Sequence, residues 1–392
     1  MKNSLREAGP AGDVSNAAPF EPGERRWMAR ALQLAALGRD SSQPNPRVGC
    51  VLVHEGERVG EGWHRRAGEP HAEVFAIQAA GARARGATAY VTLEPCNHHG
   101  RTPPCTEALI AAGVARVVYA VADPDPRVDG GGAARLRAAG IEVAAGLLEA
   151  EATEMNLGFL SRLQRGRPWL RLKLAASLDG RTALASGESQ WISSAESRED
   201  VQAWRAQSAA ILTGVGTVLA DDPALTVRRG ESPRQPLRVV LDSRLRTPAT
   251  ARVLTGPGES CLFAVDAVAG GSRQLAGTSL SPGALPPGAT IERLPAGADG
   301  RPALLDVLQR LAARQINEIW TEAGPTLAGA LLAGGLVDEL VLYLAPTLLG
   351  PDARPLAQLP LLGRLADRPL WRIHDLRAVG PDARIMLRPG GL

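Results

Sequence analysis

Residues 89–105 read AYVTLEPCNHHGRTPPC, and this stretch decides the fold of the first half of the chain. Its first five residues are mostly apolar or β-branched and predict a short buried strand. Glu94-Pro95-Cys96 stands at the end of that strand, and a proline-rich loop leads to Cys105 and a helical pattern. A strand that ends in a polar turn before a helix is a typical unit of α/β domains.

Strands and helices alternate on both sides of this stretch. Apolar spacing predicts helices at Glu24–Leu37, His71–Arg83, Thr106–Ala112, Ala133–Ala139 and Glu149–Arg165. Further strands are predicted at Val48–Val53, Arg58–Trp63, Ala115–Ala122 and Ile141–Ala144. The predicted fold class is therefore α/β, with a mostly parallel sheet.

A chain of 392 residues is too long for one ordinary core, so we expect two domains. Arg165-Gly166-Arg167-Pro168 breaks the helical pattern, and we place the boundary there. The predicted divisions are a mobile tail at 1–20, a first domain at 21–166 and a second at 167–392. We find no internal repeat.

The second half alternates in the same way. It has strand patterns at Trp169–Ala175, Ala209–Thr213, Leu237–Leu241, Glu318–Thr321 and Glu339–Tyr343. Its helical patterns lie at Ala195–Gln207, Ala303–Arg314 and Pro325–Leu332. Residues 250–300 are rich in glycine and proline and receive no assignment.

Composition excludes several classes of protein. The chain is 45% apolar and 22% charged, with a formal charge of +3, too small for its length to indicate a nucleic-acid partner. No apolar run approaches the ~18 residues of a membrane helix, and the first twenty residues lack a signal-peptide core. Four cysteines do not form a disulfide framework, so we expect a cytoplasmic protein.

His71, Cys96 and Cys105 predict a catalytic zinc site. One imidazole and two thiolates leave the fourth tetrahedral position for water, and bound Zn²⁺ lowers the pKa of that water to about 7. We expect each cysteine to lie where a helix begins, since a helix N-terminus favours thiolate. Glu73, two residues after His71, suits proton transfer better than ligation and is the predicted catalytic residue.

Alternatives accompany this interpretation. The cysteines alone would be read as buried structural thiols, and His98 and His99 in the loop are alternative ligands. His64 and Asn45 are equally consistent with structural and substrate-facing roles. A structural zinc site would need four protein ligands. A nucleic-acid deaminase would share the metal chemistry, but the weak charge and 4% aromatic content argue against it.

Motifs in both halves of the chain, in the same order, resemble the bifunctional deaminase/reductase family of riboflavin biosynthesis. The first half contributes Pro44-Asn45-Pro46, His71-Ala72-Glu73 and residues 91–105, whose eight-residue separation of the cysteines is typical of that family. The second half contributes residues 173–181 (KLAASLDGR), 187–192 (GESQWI), 219–223 (LADDP) and 322–328 (EAGPTLA). The resemblance covers the chain from about Arg25 onward, except roughly 250–300.

The resemblance implies a cytidine-deaminase-like α/β/α first domain and a dihydrofolate-reductase-like α/β second domain. The first would deaminate 2,5-diamino-6-(5-phosphoribosylamino)pyrimidin-4(3H)-one with Zn²⁺. The second would reduce the ribosyl group of the product to ribityl with NADPH. The partner is thus a small phosphoribosylaminopyrimidine, not a membrane or a nucleic acid, and the resemblance favours a homo-oligomer.

The resemblance also implies the second site. The NADPH-binding residues would be Ala175, Trp191, Thr217, Asp221, Ser243, Gly324, Pro325, Thr326, Leu327, Ala328, Gly329 and Ala330. The substrate-binding residues would be Lys173, Ser189, Arg205, Leu225, Arg228 and Glu322.

The residue types and their local pattern support part of this second site without the resemblance. No Gly-x-Gly-x-x-Gly follows a strand, so a Rossmann site is not indicated. Gly324-Pro325 instead joins a strand to a helix whose free N–H groups can receive phosphate. Arg205 and Arg228 suit phosphate clamps, and Ser243 with Arg244 could favour NADPH over NADH.

One loop departs from the family pattern. Residues 129–132 (DGGG) stand where the family usually has Gly-basic-Gly. If this loop touches the substrate phosphate, one basic contact is missing.

Overall fold

The computed structural model describes residues 20–21, 23–98, 103–126, 128–230, 234–266 and 285–390. Its contacts divide the chain into two units, one ending at Asn156 and one beginning at Leu157. The predicted mobile tail lies outside the described residues except for Phe20, as does the central part of the unassigned 250–300 region.

A five-stranded sheet forms the centre of the first unit. Its strands are β1 (Gly49–His54), β2 (Glu57–Trp63), β3 (Thr88–Leu93), β4 (Arg116–Val121) and β5 (Glu142–Ala145). The order is β2-β1-β3-β4-β5; β1 is antiparallel to both neighbours, and β3, β4 and β5 are parallel. The helices are α1 (Glu24–Leu37), α2 (Ala72–Ala80), α3 (Cys105–Ala112), α4 (Gly131–Ala138) and α5 (Glu149–Met155).

Glycines let the helices of this unit approach the sheet closely. A Cβ added at Gly49 of β1 would lie 2.0 Å from the carbonyl oxygen of Ala31 in α1. One added at Gly62 of β2 would lie 2.5 Å from the carbonyl oxygen of Ala72 in α2. No side chain fits at either position, so these two glycines fix how near α1 and α2 lie to the strands. Since His71 immediately precedes α2, the same contact fixes the first predicted metal ligand.

A nine-stranded sheet forms the centre of the second unit. Its order is β11-β10-β9-β8-β12-β6-β13-β16-β15, parallel from β11 to β13 and antiparallel beyond. These strands are β6 (Trp169–Ser177), β8 (Ala210–Gly214), β9 (Leu237–Leu241), β10 (Ser260–Val265), β11 (Ala289–Leu294), β12 (Glu318–Glu322), β13 (Glu339–Ala345), β15 (Trp371–Val379) and β16 (Asp382–Pro389). A small antiparallel pair joins β7 (Arg181–Ala183) and β14 (Arg354–Pro355). The helices are α6 (Leu157–Arg165), α7 (Ala195–Gln207), α8 (Val215–Asp221), α9 (Arg252–Thr255), α10 (Leu304–Ala313) and α11 (Pro325–Ala333).

Alternate side chains of the central strands pack into two separate hydrophobic cores, one on each face of the sheet. Ile319 of β12 belongs to one buried cluster and Trp320 to the other. Leu212 and Ile211 of β8 divide in the same way. The sheet is therefore covered on both faces, as in α/β domains with parallel strands. Together with the first unit, this confirms the predicted α/β class.

The structure differs from the sequence predictions at Asn156. The helix predicted over 149–165 is two helices, because Asn156 leaves helical geometry and bonds the backbone of Arg47 through both ends of its amide. The unit division follows Asn156 rather than Arg165, because α6 packs on the second unit. A Cβ at Gly158 would overlap Glu318, and Arg162 donates to Asn317 Oδ1 at 2.6 Å.

The sequence analysis missed several elements of the second unit. They include α8, α9, β10, β11 and the C-terminal hairpin of β15 and β16. The hairpin had a signal, since Gly380-Pro381 separates two runs and alternate residues of β16 are buried. Among the described residues, no helix has the length and apolar character needed to cross a membrane.

Asn156→Ala tests the contact that ends α5. Asn156 is buried, its Oδ1 accepts from the Arg47 N–H at 2.8 Å and its Nδ2 donates to the Arg47 carbonyl at 2.9 Å. The substitution leaves both backbone groups without this partner, so we expect the free energy of unfolding to fall by about 2 kcal/mol in urea titrations. Gln78→Ala, on an exposed position of α2, is the control and should change it by under about 0.5 kcal/mol. Equal effects of the two substitutions would contradict this account.

Candidate metal centre and cofactor cavity

Three potential metal ligands converge in the first unit. Ligand atoms of His71, Cys96 and Cys105 all lie within 4.8 Å of one another. His71 Nδ1 is 3.0 Å from the Cys105 sulfur and 3.5 Å from the Cys96 sulfur. His71 precedes the first residue of α2, Cys105 begins α3, and Cys96 lies in the loop after β3. The structure thus brings together the three residues that the sequence analysis selected.

The N-terminus of α3, where Cys105 lies, also donates a hydrogen bond to Cys96. The expectation that each cysteine begins a helix is wrong for Cys96, because residues 94–97 have no helical structure. Even so, the backbone N–H of Cys105 donates to the Cys96 sulfur at 3.3 Å. The N–H of Thr106 donates to the Cys96 carbonyl, also at 3.3 Å. A free N–H group at the first turn of a helix therefore stabilises negative charge on the Cys96 sulfur.

The two cysteine sulfurs shift each other's pKa in opposite directions. The hydrogen bond from the Cys105 thiol lowers the pKa of Cys96 to about 4. The same hydrogen bond, together with burial, raises the pKa of Cys105 well above its ordinary value. One thiolate thus forms readily, and a bound cation would favour loss of the second proton.

Glu73 is a buried carboxyl group with a free oxygen. It lies in the first turn of α2, is 3% exposed, and its Oε2 has no hydrogen-bond partner among the described residues. Burial raises its pKa above the ordinary range of a glutamate. A raised pKa makes the protonated form of a carboxyl group easier to reach, which suits proton transfer. It stands outside the cluster of ligand atoms, as expected of a proton carrier.

This donor set fits a catalytic zinc ion. An imidazole nitrogen and two sulfurs are the ligands that Zn²⁺ accepts, and three protein ligands leave a fourth position open. No other histidine, cysteine or carboxylate among the described residues joins the cluster. His98 is outside it although its Nδ1 is buried without a partner, and His99 lies outside the described residues.

His64 and Asn45 form a hydrogen-bonded pair beside the cluster. The Pro70 carbonyl can only accept, so His64 Nδ1 donates to it at 3.2 Å. His64 Nε2 is then the acceptor for Asn45 Nδ2, 3.0 Å away. The His64 ring meets the His71 ring edge-on at 5.3 Å. This pair therefore packs against a potential metal ligand, His71, without joining the cluster.

Glu94 anchors the loop that carries Cys96. Its carboxylate accepts from the backbone N–H groups of Asp123, Gly130 and Ala133, at 3.0–3.4 Å. A Cβ at Gly132 would lie 2.0 Å from the Pro95 carbonyl oxygen, so only glycine fits there. A Cβ at Gly131 would have only Asn97 Nδ2 nearby, at 4.0 Å. The packing therefore explains Gly132 in the loop that departs from the family pattern, but it does not explain the lack of a basic residue at Gly131.

A cavity of about 1480 Å³ lies in the second unit at the carboxyl ends of the parallel strands. Of the eighteen residues that the resemblance assigns to this site, all but Ala328 and Gly329 line it. Those two face elsewhere, since Ala328 is fully buried in the core and a Cβ at Gly329 would overlap the Gln358 carbonyl oxygen. The lining residues are Lys173, Ala175, Ser189, Trp191, Arg205, Thr217, Asp221, Leu225, Arg228, Ser243, Glu322, Gly324, Pro325, Thr326, Leu327 and Ala330.

Two strand-to-helix joints meet at this cavity. Gly324 precedes α11 with Pro325 in its first turn, and Gly214 precedes α8. A Cβ at Gly214 would contact Leu327 at 3.5 Å, and one at Gly324 would lie 3.8 Å from Thr217 Oγ1. Apart from Pro325, which has no N–H, the residues in the first turn of α11 have N–H groups without a partner inside the helix, and an anion in the cavity could accept from them.

Glu322 is held by three donors from two side chains. Arg205 donates through Nε and Nη2, at 2.6 and 2.9 Å, and Trp320 Nε1 donates at 2.9 Å. Burial alone would raise the pKa of Glu322, but the Arg205 charge outweighs it and holds the pKa at about 2. Lys173 is the neighbour of Glu322 across β6 and β12. Burial lowers the pKa of Lys173, while the Glu322 charge opposes this shift.

Arg205 and Arg228, the two predicted phosphate clamps, differ in whether their guanidinium groups are free to bind a ligand. Arg205 is 8% exposed, and its third nitrogen donates to the Thr226 carbonyl at 3.0 Å, so its guanidinium is already committed. Arg228 is exposed, lines the cavity and forms no ion pair with the described residues. The geometry therefore favours Arg228 for a phosphate and gives Arg205 the role of holding Glu322.

Sequence reasoning missed Trp320. It is fully buried, stacks on Trp204 with ring centroids 5.5 Å apart, and points its N–H at Glu322. A signal was present, because residues two apart on a strand share a face. A buried Trp also needs an acceptor for its N–H.

Comparison with known proteins gives consistent matches in both halves. Residues 23–121 match the model of the cytidine and deoxycytidylate deaminase zinc-binding region, and residues 168–385 match the RibD C-terminal domain. The chain is 53% identical over 373 residues to the riboflavin biosynthesis protein RibD of Escherichia coli, covering 92% of this chain and 98% of that protein. It is 46% identical to the Haemophilus influenzae protein of the same name, covering 93% and 97%.

Solved structures show the same similarity. Acinetobacter baumannii RibD superposes with a TM-score of 0.83 at 44% identity, covering 94% of this chain and 99% of that one. A Thermotoga maritima structure, described as a diaminohydroxyphosphoribosylaminopyrimidine deaminase/5-amino-6-(5-phosphoribosylamino)uracil reductase, gives 0.81 at 31% identity, covering 93% and 98%.

Metal content tests the ligand assignment. We expect Cys96→Ser to lose most of its bound zinc, because a hydroxyl is a poor substitute for a thiolate that takes part in the cluster. Glu73→Gln should keep near-stoichiometric zinc, because Glu73 lies outside the cluster. Zinc is measured by atomic absorption on the purified protein. Loss of zinc from Glu73→Gln would show that Glu73 is a ligand.

Proposed function

The chain belongs to the RibD family of bifunctional riboflavin-biosynthesis enzymes, and we propose that its two sites act in succession on one phosphoribosylaminopyrimidine. The first site deaminates 2,5-diamino-6-(5-phosphoribosylamino)pyrimidin-4(3H)-one to 5-amino-6-(5-phosphoribosylamino)uracil. The second reduces the ribosyl group of that product to ribityl. The observation that carries this proposal is the pairing of a three-ligand cluster beside a buried, free carboxyl group with a separate cavity at the edge of the second sheet.

His71, Cys96 and Cys105 would hold the metal of the first site. Zinc bound there supplies Lewis-acid activation of the attacking water. The α3 N–H that donates to Cys96 keeps this thiolate in place. Glu94 fixes the loop of Cys96 to the start of α4, so the ligand geometry is set before metal or substrate arrives.

Glu73 would carry the proton of the deamination. Water adds to the ring carbon that bears the amino group, and Glu73 accepts a proton from that water. The carboxyl group then delivers the proton to the amine, which leaves as ammonia. Burial supports this role because it raises the pKa of Glu73, so that the protonated form is accessible during the cycle.

The second cavity would hold NADPH and the ribosylaminopyrimidine together. NADPH supplies the hydride that converts ribosyl to ribityl. The cofactor would lie along Ala175, Trp191, Thr217, Asp221, Ser243 and the start of α11. Its pyrophosphate would accept hydrogen bonds from the free N–H groups in the first turn of α11, where only Pro325 has none. This supports a dinucleotide in a cavity that lacks a Rossmann fingerprint. We do not extend this role to Ala328 and Gly329, which face away from the cavity.

Lys173 and Glu322 would contact the sugar. The two side chains are neighbours at the cavity edge and carry opposite charges. Lys173 can donate hydrogen bonds to the sugar oxygens as hydride arrives, while Glu322 accepts from a hydroxyl or amine. Arg228 would bind the phosphate, with Ser189 and Leu225 completing the lining.

The order of the two reactions can be measured directly. We expect the purified protein to release ammonia from the diaminopyrimidine without any cofactor. With NADPH present, its oxidation should follow ammonia release rather than precede it. Both are followed in one assay, by ammonia detection and absorbance at the NADPH band. NADPH oxidation without prior ammonia release would contradict the proposed order. If ammonia is released but NADPH is never oxidised, only the deaminase activity is supported.

Glu73→Gln is the control for this assay. It should lower deamination by roughly 10²- to 10⁴-fold because the proton carrier is lost. Reduction of supplied aminouracil should be unchanged.

Trp320→Phe tests how Glu322 is held. Phe can still stack on Trp204 but donates nothing to Glu322, so the pKa of this glutamate should rise. Activity that needs the carboxylate is lost as pH falls through this pKa, and the acid limb of the reductase profile should therefore move to higher pH. We expect kcat to fall roughly 10-fold, as for one lost hydrogen bond to a charged group, measured with supplied aminouracil. Trp204→Phe keeps the donor and should leave the acid limb in place; a limb that fails to move in Trp320→Phe would contradict this role.

A further inference from the structure

Lys173 stands apart from the other cationic residues of the chain. Of the 44 lysine and arginine residues, only Lys2 and Lys173 are lysines. An ammonium group differs from a guanidinium because it carries its charge on one atom and because burial shifts its pKa readily. The cavity of the second unit therefore contains the only lysine ammonium group among the described side chains.

The ammonium group of Lys173 is not held by an acceptor atom. Lys173 lies on β6, is partly buried, and forms no hydrogen bond or ion pair with the described residues. Burial lowers its pKa; of the two charged groups that face it, Glu322 on β12 raises the pKa and Arg205 on α7 lowers it. Neither neighbour bonds to the ammonium group, so neither fixes its position.

The ring of Tyr343 lies beside this ammonium group. On the neighbouring parallel strands, Lys173 of β6 pairs with Val341 of β13, and Ala175 pairs with Tyr343, so Lys173 and Tyr343 share one face of the sheet. The Lys173 Nζ atom lies over the Tyr343 ring, 5.9 Å from its centre. The negative face of an aromatic ring attracts a cation at this distance. Both side chains line the cavity.

The hydroxyl group of Tyr343 holds the ring in place. Tyr343 is fully buried, and its hydroxyl donates to Asp200 Oδ2 of α7 at 2.5 Å. Arg384 of β16 donates to the same oxygen at 2.7 Å and to Asp375 Oδ2 at 3.2 Å. Burial and the hydrogen bond to Asp200 raise the pKa of Tyr343, so its hydroxyl is a poor proton donor to a substrate. The ring face, not the hydroxyl, is therefore the part of Tyr343 that acts on Lys173.

We propose that Tyr343 is a positioning residue whose ring face holds the Lys173 ammonium group at the place where the sugar is reduced. The inference rests on the reductase function proposed for this cavity. An ion pair with a carboxylate would occupy at least one N–H group of the lysine, whereas attraction to a ring face needs no directed hydrogen bond. Lys173 thus keeps its N–H groups free for the sugar oxygens.

The pKa of Lys173 tests this role without turnover. In a Lys2→Arg background Lys173 is the one lysine of the chain, so lysine isotopically labelled at Cε gives a single NMR signal that can be titrated. Tyr343→Leu removes the ring, which stabilises the charged form, so we expect the pKa of Lys173 to fall by roughly 0.5 to 1 pH unit. Tyr343→Phe keeps the ring and should leave this pKa within about 0.2 pH unit of the unchanged value.

The pH profile of the reductase gives a second measurement, with supplied aminouracil. Activity that needs charged Lys173 is lost as pH rises through its pKa, so the basic limb of Tyr343→Leu should move to lower pH by the same amount. Tyr343→Phe should keep the basic limb in place, although it loses the bond to Asp200 and should unfold at a lower temperature. Phe263→Leu is the matched control, because Phe263 is fully buried in the core on the other face of the sheet. It should lower the unfolding temperature without moving the pKa or the limb.

The outcomes separate this role from a structural one and from the reductase function. An unchanged or higher pKa of Lys173 in Tyr343→Leu would overturn the proposal. An equal fall in Tyr343→Phe would also overturn it, because the effect would then come from the hydroxyl. The expected fall in a protein that does not reduce the aminouracil would support the ring contact and overturn the reductase function.

Two further measurements cover a Tyr343→Leu variant that fails to fold. Tyr343→Met is a second variant without the ring, and its flexible side chain fills irregular space in a core; the same fall in the pKa of Lys173 is expected. In the unchanged protein the ring current should displace the Hε signals of Lys173 upfield from those of free lysine. Signals that are not displaced would overturn the contact.

Discussion

Parallel strands place their carboxyl ends along one edge of a sheet, and the reactive side chains of both units lie at such an edge. In the first unit β3 runs into the loop of Glu94 and Cys96, and its parallel neighbour β4 runs into Asp123. In the second unit β12 ends at Glu322 and is followed directly by α11. Helices that start at this edge direct free N–H groups toward it, so it favours negative charge. These N–H groups stabilise a thiolate, a carboxylate or the phosphates of a ligand in the same way.

Two buried glutamates show how differently this environment can be used. Glu73 has an oxygen without a partner among the described residues, and burial raises its pKa. Glu322 meets Arg205 and Trp320, and its pKa is about 2 despite burial. The raised pKa of Glu73 makes its protonated form easier to reach, while Glu322 remains an anion throughout the physiological range. The first arrangement suits a step that moves protons, and the second suits a step that needs a fixed charge beside a sugar.

The sequence predicts the metal site better than the second site for a physical reason. All four residues of the metal site stand in two short motifs, and each is tied to the end of a strand or helix that can be read locally. Arg205 and Glu322 are 117 positions apart, and only the fold shows that they pair. Read alone, Arg205 resembled a free phosphate clamp, because nothing near it in the chain accounts for its charge.

The errors in secondary structure have the same origin. Residues 149–165 have a continuous helical pattern, and the break at Asn156 depends on hydrogen bonds to Arg47, 109 positions away. Cys96 was expected at a helix start because a nearby helix N-terminus stabilises thiolate. In the structure the Cys96 thiolate is stabilised by a different helix. The helix that begins at Cys105 donates its first N–H to the Cys96 sulfur. The physical requirement was therefore predicted correctly, while the element that meets it lies nine residues further along the chain. The helix that begins with Cys105 therefore also stabilises Cys96, which is why the spacing of the two cysteines carries more information than either cysteine alone.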